Sequence, residues 1–298
     1  MAEPQKPGAQ PSAEQANEKL IRNISDTARW VAVYRAQETE RRDAVFRDPY
    51  ARRLAGDRGE QIAKSKPLGQ DSSWSMVTRT FLIDALVREQ VQGGIDTVVN
   101  LAAGLDSRPY RMDLPATLRW IEIDLPGILE YKEQVLHGEK PVCRLERMRL
   151  DLADAAARQQ EFARIGAAAK KALIITEGLL IYLTADAVGE LAKDLAAVAT
   201  FDSWIIDIAS PGLLRMLSKR MGSQLREAAP FRFAPNEGPK FFEQFGWAVA
   251  DVRSLLKNAA ALKRLPLLLR LFAMLPETEK SRRDRPWSGV CLLRHQPA

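Results

Sequence analysis

The segment Asp96–Met112 reads DTVVNLAAGLDSRPYRM, and Leu118–Pro126 reads LRWIEIDLP. In the first, an apolar strand over Thr97–Leu101 runs straight into Ala102-Ala103-Gly104, and a helix can begin at Arg108. Small residues at the carboxyl end of a strand let a ligand approach the backbone closely, and open α/β sheets bind ligands at that edge. A dinucleotide site carries G-x-G-x-x-G so that pyrophosphate rests on the helix amino terminus. Here those positions are Ala102, Gly104 and Ser107, which suits a nucleoside cofactor without phosphates better than a dinucleotide. The second strand ends in Asp124, twenty residues after Gly104. A carboxylate at this spacing can accept hydrogen bonds from both hydroxyls of a ribose. Glu122 shares its face by strand alternation, but only Asp124 reaches the mouth. The alternative role for Asp124 is to cap a helix starting at Pro126.

The alternation continues outward. Apolar runs at Met148–Leu152, Leu173–Thr176 and Trp204–Ile208 predict strands, and Trp247–Val252 and Gly289–Arg294 add two more. Helices are expected over Arg108–Met112, Gly127–Leu136, Asp154–Gly166 and Ala185–Val198, with another before Trp247. This predicts an α/β fold, a mostly parallel seven-stranded sheet with helices on both faces. The third strand ends in Asp151-Leu152, where the acid can accept an adenine amino group and the next amide can meet a ring nitrogen. The fourth brings Glu177 to its mouth. A carboxylate buried there needs a partner, such as a cationic part of a cofactor.

Upstream, Ser73–Gln92 is an amphipathic helix ended by Gly93-Gly94. Ser25 or Asp26 can cap a helix through Trp30, Val33 and Tyr34, and Asp48-Pro49 breaks it before a second short helix. Downstream, the leucine-rich stretch Ala259–Leu275 is expected to pack against the core or to cover the site. Met1–Ala16 has almost nothing apolar to bury and is expected to be a disordered tail.

Composition narrows the classes. The chain has 298 residues, 46% hydrophobic and 28% charged, ordinary for a protein with a sizeable buried core. No apolar run is long enough for a membrane span, and the start lacks the apolar core of a secretory signal, so a cytoplasmic protein without a membrane partner is expected. Two cysteines and two histidines leave no metal-ligand cluster, so no metal is expected. The net charge of +6 comes from scattered Lys and Arg, and the densest cluster, Lys280–Arg285, is interrupted by Asp284 and lacks aromatics. That pattern predicts no nucleic-acid role, and a field steering an acidic substrate is the better use of the excess charge.

Taken in order, TARWVAVYRAQETERRDAVFRDPYA (Thr27–Ala51), Val77-Thr78-Arg79-Thr80, VNLAAGLDSRPYR, IEIDLPGILEYK, Asp151-Leu152 and TEGLLIYL resemble the leucine carboxyl methyltransferase family and its bacterial relatives. FFEQFGW and GVCLLR match more loosely. The resemblance implies a Rossmann-like class I methyltransferase fold with an amino-terminal helical cap over 17–92, a cofactor core over 93–210, and substrate-side insertions and final strands over 211–298, all within one domain. It implies S-adenosylmethionine as cofactor and a small carboxylate- or hydroxyl-bearing metabolite as methyl acceptor. It places Arg79 on the carboxylate of the cofactor's methionine part, a task suited to a bidentate donor. Gly104 would let that part pass, Asp124 would hold the ribose, Asp151 and Leu152 the adenine, and Glu177 would lie near the methionine amino group. Arg29 is the nearest candidate for the family's amino-terminal cation. Ala102 stands where the family often has glycine, which the loop accommodates if its backbone there is not left-handed. Tyr34 and Tyr182 read as packing aromatics, and Asp106 and Arg108 as loop residues. No catalytic base is identified, and a carboxylate acceptor, already ionised at neutral pH, would need none. Two other classes remain open, an NAD-dependent oxidoreductase and a non-catalytic nucleoside-binding module.

Overall fold

The structure, a computed structural model, describes residues 24–65, 72–277 and 285–296. The expected tail over 1–16 and most of Lys280–Arg285 lie outside the described residues. Helices α1 (Ile24–Thr39), α2 (Ala51–Lys64) and α3 (Ser73–Gln92) precede strand β1 (Thr97–Leu101). There follow α4 (Arg108–Arg111), β2 (Arg119–Asp124), α5 (Pro126–Val135), β3 (Arg144–Arg149), α6 (Ala155–Ala168) and β4 (Ala172–Thr176). A 3-10 turn over Leu180–Tyr182 leads to α7 (Ala185–Ala196), β5 (Phe201–Ala209), α8 (Pro211–Arg220) and α9 (Ser223–Ala228). The chain ends with a 3-10 helix (Gly238–Phe245), β6 (Trp247–Ser254), α10 (Leu255–Ala261), α11 (Leu267–Ala273) and β7 (Ser288–His295).

The seven strands form one sheet in the order β3-β2-β1-β4-β5-β7-β6. β1 to β5 are mutually parallel, and only β7 runs antiparallel to its neighbours β5 and β6. Alternation along the inner strands feeds two layers. Val99, Leu101 and Ile174 join a core with Phe162, Leu191 and Trp204 of one face, while Val98, Leu173 and Ile175 join Ile83 and Leu86 of α3 on the other. Burial on both faces is why these strands read as unbroken apolar runs. Strand order reverses between β1 and β4, which opens a crevice at the carboxyl ends of those two strands. Over the loop that follows β1 sit α1 and α2, packed through Ala32, Val33, Leu54 and Ala55 against Leu105, Tyr110 and Ile128.

Three expectations need correction. The third strand is Arg144–Arg149, not Met148–Leu152. As an edge strand it is stabilised by charged pairs, Arg147 to Glu122 and Arg149 to Glu133, so its residues lack an apolar run. Helix α1 already begins at Ile24, and Asp26 sits in its first turn, bound by both Arg58 Nε (2.6 Å) and Nη2 (2.8 Å). Ala259–Leu275 meets its expectation only in part, with Leu269 reaching the cavity at the sheet edge. Ala259 and Leu265 are buried, but Leu267, Leu271, Phe272, Met274 and Leu275 of α11 and the turn after it are exposed. Among the described residues no helix is long and apolar enough to cross a membrane.

Candidate functional site

The loops that leave β1, β2, β3, β4 and β5 surround a cavity of about 760 Å³, within the ~300–1,000 Å³ usual for small-molecule sites. All six residues singled out from sequence, Arg79, Gly104, Asp124, Asp151, Leu152 and Glu177, line it. They come from α3 and from four separate strand ends, so only the fold brings them together.

On the β1–β2 side, Asp124 Oδ2 accepts the Gly104 N–H at 2.6 Å and Oδ1 accepts the Leu125 N–H at 2.7 Å. Each oxygen keeps a further lone pair for a ligand hydroxyl. Burial pushes the Asp124 carboxyl above its ordinary value, against those two amides and Lys132. Glu122, two residues earlier, is fully buried and bound to Lys132 Nζ (2.7 Å) and Arg147 Nε (2.9 Å), so it serves the fold and not the mouth. Gly104 has φ 49°, and a Cβ there would lie 3.3 Å from the Ala28 methyl of the cap. Ala102 has φ 51°, in the left-handed region, so the condition under which alanine would replace the family's glycine without strain is not met. Such a conformation costs a non-glycine residue of order 1–3 kcal/mol, here carried in the loop that lines the cavity. Asp151 and Leu152 lie beyond the end of β3, and Asp151 Oδ1 is held by the Ala153 N–H at 2.9 Å.

At the reversal point a charged network spans the crevice. Arg79 Nε donates to Glu177 (3.0 Å) and Nη1 to Asp207 (3.1 Å), which leaves Nη2 without an acceptor among the described residues. Its guanidinium lies against Gly178, φ 66°, where a Cβ would come within 3.3 Å of Nη1. Arg108 donates to Asp84 (2.7 Å), Asp106 (2.7 Å) and Glu177 (2.8 Å), with only 2% of its side chain exposed. Burial alone would raise Glu177, but Arg108 and Arg79 outweigh it and hold the carboxyl below its usual range. Asp106 is likewise held far below that range by Arg108, Lys132 and Arg111, against its own burial. Asp84 is shared by Arg108 and Arg111, and Asp48 by Arg35 and Ser107, so the network ties the cap to the sheet.

Sequence reasoning missed Asp106, Arg108 and Asp207 as members of this site. Asp207 carried the same signal as Glu177, an acid after an apolar run at a strand's carboxyl end, in WIID. Arg29 does not reach the cavity: its guanidinium stacks 3.5 Å over the Tyr131 ring. Arg35, six residues later on α1, lines the cavity instead. Tyr34 packs with Trp30 as expected, whereas Tyr182 both packs on Phe231 and lines the cavity.

Residues 28–196 match the leucine carboxyl methyltransferase family. The chain belongs to that family. As a member it is an S-adenosylmethionine-dependent methyltransferase. It is 34% identical over 286 residues to a candidate S-adenosyl-L-methionine-dependent methyltransferase of Streptomyces avermitilis, which covers 90% of this chain and 94% of that one. A Frankia alni protein of the same description is 33% identical over 258 residues, 81% of this methyltransferase and 88% of the relative. In fold, the methyltransferase is similar to the crystal structure of a DUF574 family protein from Streptomyces avermitilis (TM-score 0.55, 13% identity, 91% and 97% of the two chains). It is also similar to that of a candidate methyltransferase from Thermobifida fusca (TM-score 0.54, 14% identity, 96% and 100%). The cavity fits the cofactor: Asp124 offers two free acceptor positions, left-handed Gly104 keeps the β1 edge clear, and no pyrophosphate cradle is present at Ala102, Gly104 and Ser107.

Proposed function

We propose that this methyltransferase methylates an oxygen of a small, largely apolar carboxylic acid. The observation that carries the reading is the state of the acids where the sheet edge meets α8. Glu177 and Asp207 are both tied to Arg79, Glu177 also to Arg108, and neither histidine of the chain lines the cavity. A carboxylate clamped by guanidinium is a poor proton acceptor, and burial keeps the Tyr182 phenol above its ordinary value and thus neutral. An acceptor that arrives already ionised needs no base. Ile181, Phe231, Phe233, Leu213, Met216 and Leu217 supply apolar walls for its body.

When bound, S-adenosylmethionine supplies an electrophilic methyl group on a sulfonium. Asp124 would accept the ribose hydroxyls, while Asp151 and the Leu152 amide would meet the adenine. The unused Nη2 of Arg79 would take the methionine carboxylate, and Glu177 with Asp207 would face its ammonium. These residues fix the donor, and the apolar walls exclude water and align the acceptor, an effect that can lower a barrier by ~7–11 kcal/mol. The test is the chemical nature of the product. With methyl-labelled cofactor and a panel of apolar carboxylic acids, the label should enter an ester that mild alkali releases as methanol. Label held in an alkali-stable ether or amine would contradict the reading.

A further inference from the structure

Helix α11 is the short leucine-rich segment that follows Pro266. Of the seven large apolar side chains exposed among the described residues, five fall between Leu267 and Leu275. Leu267, Leu271 and Met274 recur at helical spacing and so share one side of the helix, where they are 74%, 71% and 81% exposed. Leu269, on the opposite side by the same spacing, is half-buried and lines the cavity. Single exposed leucines are ordinary, but a contiguous apolar face left in water marks a contact surface.

Charge is as uneven here as apolarity. Lys and Arg are spread along the chain, but their excess over acids is not. Leu255–Trp287 holds eight of them against three acids, so five of the six net positive charges of the chain fall in that segment. From Leu255 to Pro276 there is no acid at all. Arg264 is bound by Glu38 and Asp43, whereas Lys257, Lys263 and Arg270 are exposed and make no ion pair among the described residues.

These two features together select the occupant. A second copy of the chain would set the same positive excess against itself, which opposes a close isologous contact. A nucleic acid would meet the cations but leave the leucines in water. An anionic bilayer meets both, with apolar side chains at the acyl boundary and Lys and Arg among the headgroups. We propose that α11 docks this methyltransferase on an anionic membrane surface through Leu267, Leu271 and Met274, flanked by Lys263 and Arg270. The contact is peripheral, since no helix among the described residues can cross a membrane. It departs from the expectation of no membrane partner, and through Leu269 it sets the cavity wall beside the membrane.

Co-sedimentation of the whole protein with vesicles tests the proposal. Wild type should bind vesicles containing phosphatidylglycerol at least about tenfold more tightly than vesicles of phosphatidylcholine alone, and high salt should narrow the gap. The double variant Leu267→Asp and Leu271→Asp should lower binding by about tenfold or more, with circular dichroism and S-adenosylhomocysteine affinity unchanged. Lys263→Gln with Arg270→Gln, which keeps the leucines, should remove most of the preference for phosphatidylglycerol. Val142→Asp, at an exposed apolar side chain far from α11 in sequence, should leave binding unchanged. Equal binding to the two kinds of vesicle, an equal loss in Val142→Asp, or no binding by wild type would overturn the proposal. So would a self-associated wild type that the leucine substitutions return to monomer without any vesicle binding.

Discussion

Asp124→Ala should weaken S-adenosylhomocysteine binding about a hundredfold while the protein stays folded. Two hydroxyls donated to a carboxylate are each worth ~1.5–3 kcal/mol, and losing both removes that sum less what water returns. The two amides of Gly104 and Leu125 that Asp124 now accepts lie at the open mouth, where water can replace the side chain. The wild type should show a related pH effect. Because burial raises the Asp124 carboxyl, the bare site takes up a proton above the ordinary carboxylate value, and affinity should fall as the pH drops toward it. Titration calorimetry across pH, with circular dichroism as the folding control, measures both effects.

Arg108→Met should cost about 3–5 kcal/mol of stability, the usual penalty for removing one partner from a buried ion cluster. Its guanidinium is the shared donor to Asp84, Asp106 and Glu177, and methionine fills part of the volume but satisfies none of them. In a chain of this size the loss should lower Tm by about 10 °C at neutral pH. The three acids have folded values below their unfolded ones, so their contribution is present above the unfolded value and is lost as pH falls through the folded ones. The gap between wild type and variant should therefore narrow on acidification. Calorimetric melts at neutral and acidic pH measure it, and a gap that widens instead would remove the network from the stability account.

The parallel sheet was legible because strands buried on both faces are written as mostly apolar runs without the alternation of a half-exposed strand, VVNL and LIIT above all. β3 was misplaced by several residues for the opposite reason: RLERMR is held by pairs to Glu122 and Glu133, so its strand character lies in partners distant in sequence. Gly104 and Asp124 were legible as a local spacing. Arg108 and Asp106 were not, since what makes them part of a site is Asp84 on α3 and Glu177 after β4, which the fold alone brings near. Ala102 concealed a left-handed backbone that a glycine would have announced. The end of the cavity proposed for the acceptor was least legible, because α8, Trp30 and Phe231 line it together only in the folded chain.

The most direct test of the account is a calorimetric titration of the wild-type protein with S-adenosylhomocysteine and, in parallel, with NAD. If Asp124 holds the ribose as proposed, a cavity without a glycine cradle for pyrophosphate should bind one S-adenosylhomocysteine per chain and show no saturable heat with NAD. Saturable binding of NAD, or none of S-adenosylhomocysteine, would contradict it.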